Sequence, residues 1–312
     1  MTTVTGTSPL SYRSILTLTV ISALYLVVSA LLIGFKTDQL FLVILFNALY
    51  YSSKSTRRFI LGFSVFIVFW ILFDIMKAFP NYRFNTVHIE DIYNTEKRLF
   101  GINSGDGRTL TPNEYWLLHE NSFLDILSGL FYLCWIPLPL GFGVYLFYKD
   151  RRSFFNFSLS FLLTNVLGFI IYYVYPAAPP WYVEQYGFNF HAGTPGNTAG
   201  FARFDHFFNL PVFSSLYAKS SNVFAAMPSL HSSYPLIVFY YGIRTKLRRA
   251  SILFAGIMIG IWFAAIYSSH HYMLDVIAGI CCGITGIVLF NYLSRKNIFF
   301  GRFIEACLRA TT

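Results

Sequence analysis

The chain has 312 residues, of which 55% are hydrophobic and 12% are charged, and its mean hydropathy is +0.54. These values exclude an ordinary soluble domain and indicate a polytopic membrane protein. The formal net charge of +9 does not indicate nucleic-acid binding, because the basic residues cluster in short connections between apolar runs.

Eight apolar runs are predicted to cross a membrane, which requires about 20 residues for roughly 30 Å of hydrocarbon. The second and sixth runs are shorter than the others. In chain order they cover residues 14–34, 39–53, 58–79, 124–147, 154–175, 229–243, 250–267 and 272–293. The predicted fold class is therefore all-α: a polytopic membrane helix bundle of about eight transmembrane helices. We predict two parts, N-terminal transmembrane helices over 1–79 and one membrane domain over 80–312.

The first run has an alternative interpretation as a cleavable signal peptide. Arg13 precedes it, and small residues occur in the segment 28–30. The apolar stretch continues to Phe35, which favours a membrane-spanning helix.

The charge pattern predicts the orientation of the helices. With a cytoplasmic N-terminus, 15 of the 23 Lys and Arg residues fall in the cytoplasmic connections and the C-terminal tail, as the positive-inside rule requires. Both termini are then cytoplasmic, and the long segments 80–123 and 176–227 lie on the other side. Within the first of these, the sequence Thr111-Pro112-Asn113-Glu114 predicts a capped helix start that leads into the fourth run.

Two short polar segments, Pro228–Ser233 and His270–Asp275, are separated by two apolar runs that cross the membrane and return. Both segments are therefore expected on one membrane face. Ionisable residues are costly in apolar surroundings, so their convergence predicts a functional site. If the last helix begins near Ser269, His271 and Asp275 lie one turn apart on one helix face.

Each polar segment offers a role in phosphoryl transfer. A carboxylate of Asp275 that accepts from Nδ1 of His271 would leave Nε2 unprotonated and nucleophilic. His231 follows Pro228 and Ser229 at a predicted helix N-terminus, where Pro suits the first turn and backbone N–H groups can face a phosphate. The pattern predicts His271 as nucleophile, His231 as general acid and Ser229 beside the phosphate. No metal or organic cofactor is required.

A phosphoryl centre also needs positive charge on its equatorial oxygens. The nearest cations in sequence are Arg203 and Lys219, and Arg203 is favoured because a guanidinium matches phosphate oxygens bidentately. Asp205 either binds a hydroxylated head group or pairs with Arg203. His270 is expected to orient loops or substrate.

Other polar and aromatic residues are interpreted as structural. Histidines at a membrane interface usually serve as hydrogen-bonded surface residues, and we place His88, His119, His191 and His206 in this class. The run Tyr175–Tyr182 is interpreted as a helix stop followed by an aromatic interface anchor.

The two polar segments resemble the type 2 phosphatidic acid phosphatase superfamily, whose second and third motifs look like Pro-Ser-x-His and Ser-Arg-x5-His-x3-Asp. Residues 228–231 fit the second motif, with Leu230 in place of the usual Gly, and His271 and Asp275 fit the third. Residues 264–265, both Ala, replace the Ser-Arg pair, and no clear Lys-x6-Arg-Pro first motif is present. The resemblance implies a six-helix core of this type but does not recover its basic phosphate cradle.

This set of departures is similar to the branch that contains fungal inositol phosphorylceramide synthases, over roughly residues 90–293. The likeness is carried by Tyr175–Tyr182, Gly200–Asp205, Met227–Ser232 and Tyr267–Asp275. It implies transfer of phosphoinositol from phosphatidylinositol to ceramide through a phosphohistidine. The site would face the periplasm in a bacterium or the Golgi lumen in a eukaryote. The resemblance leaves open whether the protein forms a homo-oligomer or binds an accessory subunit.

Two other functions are compatible with parts of this pattern. A lipid phosphate or pyrophosphate phosphatase of the same superfamily would use water as acceptor, but a phosphomonoester carries more charge than a diester and needs more cationic help. A transporter with a His and Asp proton relay is disfavoured, because the chain lacks repeat symmetry and its ionisable residues cluster at one interface.

Overall fold

In the computed structural model, which describes residues 12–218 and 222–312, α-helices account for most of the chain. In chain order these helices are α1 (Tyr12–Ile33), α2 (Thr37–Ser52), α3 (Lys54–Ile75), α4 (Glu90–Phe100), α5 (Pro112–Leu118), α6 (Ser122–Leu133), α7 (Pro137–Lys149), α8 (Arg151–Val174), α9 (Pro180–Tyr186), α10 (Ala202–Phe208), α11 (Val212–Tyr217), α12 (Leu230–Arg244), α13 (Arg248–Tyr267), α14 (Met273–Lys296) and α15 (Ile298–Thr311). A small antiparallel hairpin, β1 (Ile102–Asn103) and β2 (Thr109–Leu110), follows α4. The all-α class is confirmed.

Six helical segments of the described chain are long and apolar enough to cross a membrane. They are Tyr12–Ile33, Lys54–Ala78, Ser122–Lys149, Arg151–Val174, Arg248–Tyr267 and Met273–Lys296. Helices α2 and α12 have only 16 and 15 residues, which at 1.5 Å per residue reach about 24 Å, short of the hydrocarbon thickness. The predicted count of eight spanning helices is therefore not confirmed.

The described residues form two units, 12–79 together with 298–312, and 80–297. In the first unit, α15 packs on α3, so the final residues group with the N-terminal helices, whereas the sequence division placed them with the second part. Asp74 at the end of α3 accepts from Gln39 Nε2 at 3.1 Å and pairs with Lys77 at 2.8 Å. The second unit contains every described residue of the predicted site.

Two expectations about the segment before the fourth run have different outcomes. Thr111 caps α5, and the Glu114 side chain accepts from the Thr111 N–H, so the predicted capping box is confirmed. Helix α5 ends at Leu118, however, and α6 starts afresh after Asn121, whose side chain accepts from two backbone N–H groups. The helix that begins at Pro112 therefore leads into the fourth run through a break at residues 119–121.

The run Tyr175–Tyr182 ends one helix and begins another, as predicted, because α8 stops at Val174 and α9 starts at Pro180. The interpretation as an interface anchor is wrong. Trp181 and Tyr182 are 4% and 0% exposed and belong to a buried cluster of the second unit. The aromatic side chains of this run therefore hold the second unit together internally.

Glycines on α14 allow α12 and α8 to approach closely. A Cβ at Gly279 would lie 2.1 Å from the carbonyl oxygen of Ser229, and one at Gly286 would lie 2.0 Å from Thr164 Oγ1. Small residues permit this backbone approach between membrane helices. Ser233 Oγ consequently reaches the Gly279 carbonyl at 2.6 Å. The first turns of α12 and α14 are held side by side.

Candidate active site

The structure brings His231 and His271 into contact. His231 lies in the first turn of α12, and His271 lies in the turn between α13 and α14. Nδ1 of His231 is 3.3 Å from Nε2 of His271. The two polar segments, which are 40 residues apart in sequence, therefore form one centre.

His271 also faces Asp275, although not by the predicted helical geometry. Helix α14 begins at Met273 rather than near Ser269, so His271 precedes the helix. Its Nδ1 is 3.5 Å from Oδ2 of Asp275, which is fully buried. The same Oδ2 accepts from the Tyr272 N–H at 2.9 Å. One ring nitrogen of His271 thus faces a carboxylate and the other faces His231.

A left-handed residue accounts for the shape of the turn that carries His271. Ser269 has φ of 58°, a conformation that L-residues adopt rarely and that reverses the chain here. The N–H groups of His270 and His271 both donate to the Ala265 carbonyl, at 3.1 and 3.0 Å. This local bonding replaces the helical turn that the H-x-x-x-D spacing suggested.

Three distant segments hold the same turn. Asn113 Nδ2 donates to the carbonyl of His271 at 3.0 Å and to that of Ile266 at 2.8 Å. The N–H of Trp181 donates to the Ser269 carbonyl at 3.0 Å, and that of Gly200 donates to the Ser268 carbonyl at 2.9 Å. The backbone of the candidate nucleophile is therefore fixed by α5, α9 and the segment before α10.

Helix α12 starts slightly later along the chain than predicted. The helix begins at Leu230 with Ser229 as its N-cap, so Pro228 lies before the first turn. Ser229 is fully buried, and its N–H donates to the Asp275 carbonyl at 2.9 Å while its Oγ accepts from Ser232 Oγ at 3.1 Å. In this structure Ser229 joins the starts of α12 and α14.

Tyr132 belongs to the site and was missed by the sequence analysis. Its hydroxyl is 3.0 Å from His231 Nδ1, and the tyrosine is fully buried. It also hydrogen-bonds to Tyr217. Nothing in the sequence distinguishes Tyr132 from the other 21 tyrosines of the chain, because its partner lies 99 residues away.

Glu96 on α4 is a second residue that sequence reasoning missed. Its side chain is fully buried, and its two oxygens accept from the N–H groups of Met273 and Leu274 at 2.9 and 3.1 Å. Burial raises the pKa of this carboxyl to about 7, because a buried charge is poorly solvated. The carboxylate satisfies free N–H groups at the start of α14 and complements the helix dipole. It thereby supports the turn from which Asp275 projects.

Arg203 is engaged by two carboxylates. Its Nε donates to Asp125 Oδ1 at 2.6 Å, and its Nη1 donates to Glu120 Oε1 at 2.9 Å. Asp205 instead accepts from the N–H groups of Phe213 and Ser214 at 2.9 and 2.8 Å. The alternative that Asp205 pairs with Arg203 is therefore wrong, and Asp205 caps α11.

His270 and Lys219 complete the set of predicted residues. Nε2 of His270 donates to the Thr198 carbonyl at 2.8 Å, and its ring stacks on Tyr217 with centroids 4.4 Å apart. Burial lowers the pKa of His270 to about 3, so the imidazole is neutral and orients the loop before α10. Lys219 lies outside the described residues.

His231 and His271 over the buried Asp275, set in a bundle of long apolar helices, form a centre suited to phosphoryl transfer in a membrane enzyme. The family model of the PAP2 superfamily matches residues 109–289, which include the whole centre. The chain belongs to this superfamily, as its motifs predicted.

Two curated relatives indicate which branch of the superfamily the chain is similar to. The chain is 42% identical over 297 residues to the phosphoinositol dihydroceramide synthase of Bacteroides thetaiotaomicron, covering 95% of this chain and 97% of that protein. It is 30% identical over 242 residues to the inositol phosphorylceramide synthase catalytic subunit of Saccharomyces cerevisiae, covering 74% of this chain and 56% of the yeast protein. No solved structure matches the chain. The predicted likeness to the synthase branch is confirmed.

Proposed function

We propose that this enzyme transfers phosphoinositol from phosphatidylinositol to a ceramide-type acceptor and releases diacylglycerol. It is a phosphotransferase of the inositol phosphorylceramide synthase type. Near full-length similarity to the bacterial synthase supports the substrate pair. The observation that carries the chemistry is the 3.3 Å approach of His231 to His271, with Asp275 on the opposite nitrogen.

In the first step, Nε2 of His271 attacks the phosphorus of the donor. The bond from phosphorus to the diacylglycerol oxygen breaks, and that oxygen takes a proton from His231. His231 enters this step as the imidazolium, which the negative phosphate of the bound donor favours against the burial that lowers the pKa of this residue. The product is a phosphohistidine diester that carries the inositol head group. Asp275 stabilises the cationic ring of His271 as it forms, because its Oδ2 faces Nδ1.

In the second step, the acceptor hydroxyl attacks the phosphohistidine. His231, now neutral, takes the hydroxyl proton, and the bond from phosphorus to Nε2 of His271 breaks. Both histidines return to their starting protonation states. Burial of the centre favours a lipid alcohol over water as acceptor, because water is largely excluded.

Donor binding must separate the two imidazoles. A nucleophile approaches its reacting atom to about 3–3.5 Å, and an acid lies about 2.6–3.2 Å from the oxygen it protonates. The two nitrogens then need roughly 6 Å between them on these figures, against 3.3 Å here. Donor binding is therefore expected to move the two rings apart by roughly 3 Å.

The charge pattern supports an orientation with both termini cytoplasmic and the active site on the outer face, which is periplasmic in a bacterium and lumenal in a Golgi membrane. Donor and acceptor would then be recruited from the outer leaflet. The residues 80–297 are proposed as the part that carries the chemistry.

The function is tested with the purified protein in detergent micelles that contain fluorescent ceramide. The donors are phosphatidylinositol, phosphatidylcholine, phosphatidylethanolamine and phosphatidylglycerol, each in a separate reaction. We expect a new phosphosphingolipid with phosphatidylinositol alone, detected by thin-layer chromatography and mass spectrometry.

A parallel reaction measures phosphate release from phosphatidic acid. Release of free phosphate without any head-group transfer would contradict the proposal and make the enzyme a lipid phosphatase. Transfer from phosphatidylcholine in preference to phosphatidylinositol would contradict the donor assignment.

A further inference from the structure

A cavity that is lined in part by charged side chains lies between the start of α6 and α10. Its volume is about 580 Å³, within the usual range for small-molecule sites. Glu120, Asp125, Arg203 and Phe207 are among the residues that line it. His231 and His271 do not line it.

The polar groups of this cavity are fixed before any ligand binds. Asp125 Oδ1 accepts both from Arg203 Nε at 2.6 Å and from the Tyr267 hydroxyl at 2.8 Å. The guanidinium lies over the Tyr267 ring, 5.3 Å from its centroid. Nη2 of Arg203 is shielded from solvent and lies against Gly200, 3.0 Å from the position a Cβ on that residue would take.

The charge balance of the cavity disfavours a phosphate. One guanidinium faces two carboxylates, those of Asp125 and Glu120, so the formal charge of this group of three is negative. A phosphate diester would compete with those carboxylates for Arg203 and be repelled by them. A hydroxyl group suits the same set, because it can donate to a carboxylate and accept from a guanidinium at once. The lining therefore favours a neutral ligand with several adjacent hydroxyls.

Two independent chains of residues connect the cavity to the histidines. Asp125 and Tyr132 lie two turns apart on one face of α6, which is about 10 Å along the helix axis, and Tyr132 contacts His231. Tyr267, which packs against Arg203, ends α13 directly before the turn that carries His271. Both connections lead from the lining of the cavity to the residues that position His231 and His271.

We propose that this cavity is the subsite for the inositol ring of the donor, and that Arg203 binds ring hydroxyls rather than the phosphate. This rests on the proposed function and deepens it. Asp125 and Glu120 accept hydrogen bonds from the ring hydroxyls, and the part of the Arg203 guanidinium that faces the cavity donates to one of them. Phe207, which is 57% exposed, covers an apolar face of the ring.

The test uses Glu120→Gln, because Glu120 is 46% exposed and its amide replacement keeps the shape of the side chain. We expect the KM for phosphatidylinositol to rise about tenfold, as loss of hydrogen bonds to a charged group predicts. The kcat and the KM for ceramide should change less than about twofold, since uniform binding alone is lost. Asp106→Asn, in the exposed hairpin away from the cavity, is the matched control and should change neither value.

A second measurement separates the ring from the phosphate as the bound group. Free myo-inositol should inhibit transfer competitively against phosphatidylinositol and should inhibit the Glu120→Gln enzyme less. Inorganic phosphate at equal concentration should not show this difference. An unchanged KM in Glu120→Gln, or weaker inhibition of that variant by phosphate but not by inositol, would overturn the subsite. Either result would leave the transfer activity of the native enzyme, and so the proposed function, intact.

Discussion

Replacement of His271 by Ala is expected to abolish head-group transfer, with a loss in kcat of roughly 10⁴-fold to 10⁶-fold, as for other nucleophile deletions. Neither neighbour can substitute for it. His231 approaches through Nδ1, which already contacts the Tyr132 hydroxyl at 3.0 Å, and Asp275 is fully buried behind the His271 ring. The measurement is transfer from phosphatidylinositol to fluorescent ceramide by the purified variant.

The matched control for this experiment is His119→Ala. His119 contacts the Tyr115 carbonyl at 2.7 Å and stacks on the Tyr115 ring, and among the described residues no hydrogen bond or ring contact joins it to His231 or His271. Its replacement should leave transfer within about twofold, since such surface substitutions have small effects. Residual transfer above one part in a hundred in the His271→Ala enzyme would remove His271 as the nucleophile.

Replacement of Gly279 by Ala is expected to damage both stability and activity. The added Cβ would lie 2.1 Å from the Ser229 carbonyl oxygen, a backbone atom that cannot yield without moving the start of α12. Overpacking of this kind costs about 1–3 kcal/mol. A displacement of His231 by about 1 Å reduces a rate roughly 100-fold. Thermal unfolding in detergent and the transfer assay measure the two effects.

Gly256→Ala on α13 provides the comparison, because no atom lies within 4 Å of the Cβ it would add. There Ala should be neutral or slightly stabilising, since glycine weakens a helix interior by about 1 kcal/mol relative to alanine. If Gly279→Ala retained native stability and activity, the close approach of α12 and α14 would not be what holds the histidines together.

The two polar segments, Pro228–Ser233 and His270–Asp275, could be predicted because hydropathy and charge are local properties of the sequence. The return of the chain between Ser233 and His270 required only that two apolar runs cross a membrane, and the capping box at Thr111 required only four residues. Hydropathy alone did not separate α2 and α12 from spanning helices. Whether α2 or α12 is long enough to span depends on where each helix ends, and contacts with neighbouring segments determine those ends.

The parts that could not be predicted depend on contacts between distant segments. The start of α14 is delayed to Met273 because Ser269 adopts a left-handed conformation that Asn113 and Trp181 help to hold. In the sequence, no partner for the Arg203 cation can be recognised. In the structure it pairs with Asp125, which lies 78 residues earlier. Pairings at such separations carry no periodic signal.

In this mechanism the head group passes through His271, and the stereochemistry at phosphorus tests that transfer most directly. The donor is phosphatidylinositol with one non-bridging oxygen replaced by sulfur, resolved into a single configuration. Two successive in-line displacements, first by His271 and then by ceramide, each invert the phosphorus, so the account predicts a phosphosphingolipid with overall retention. Inversion would contradict it, because ceramide would then have attacked the donor directly without a phosphohistidine.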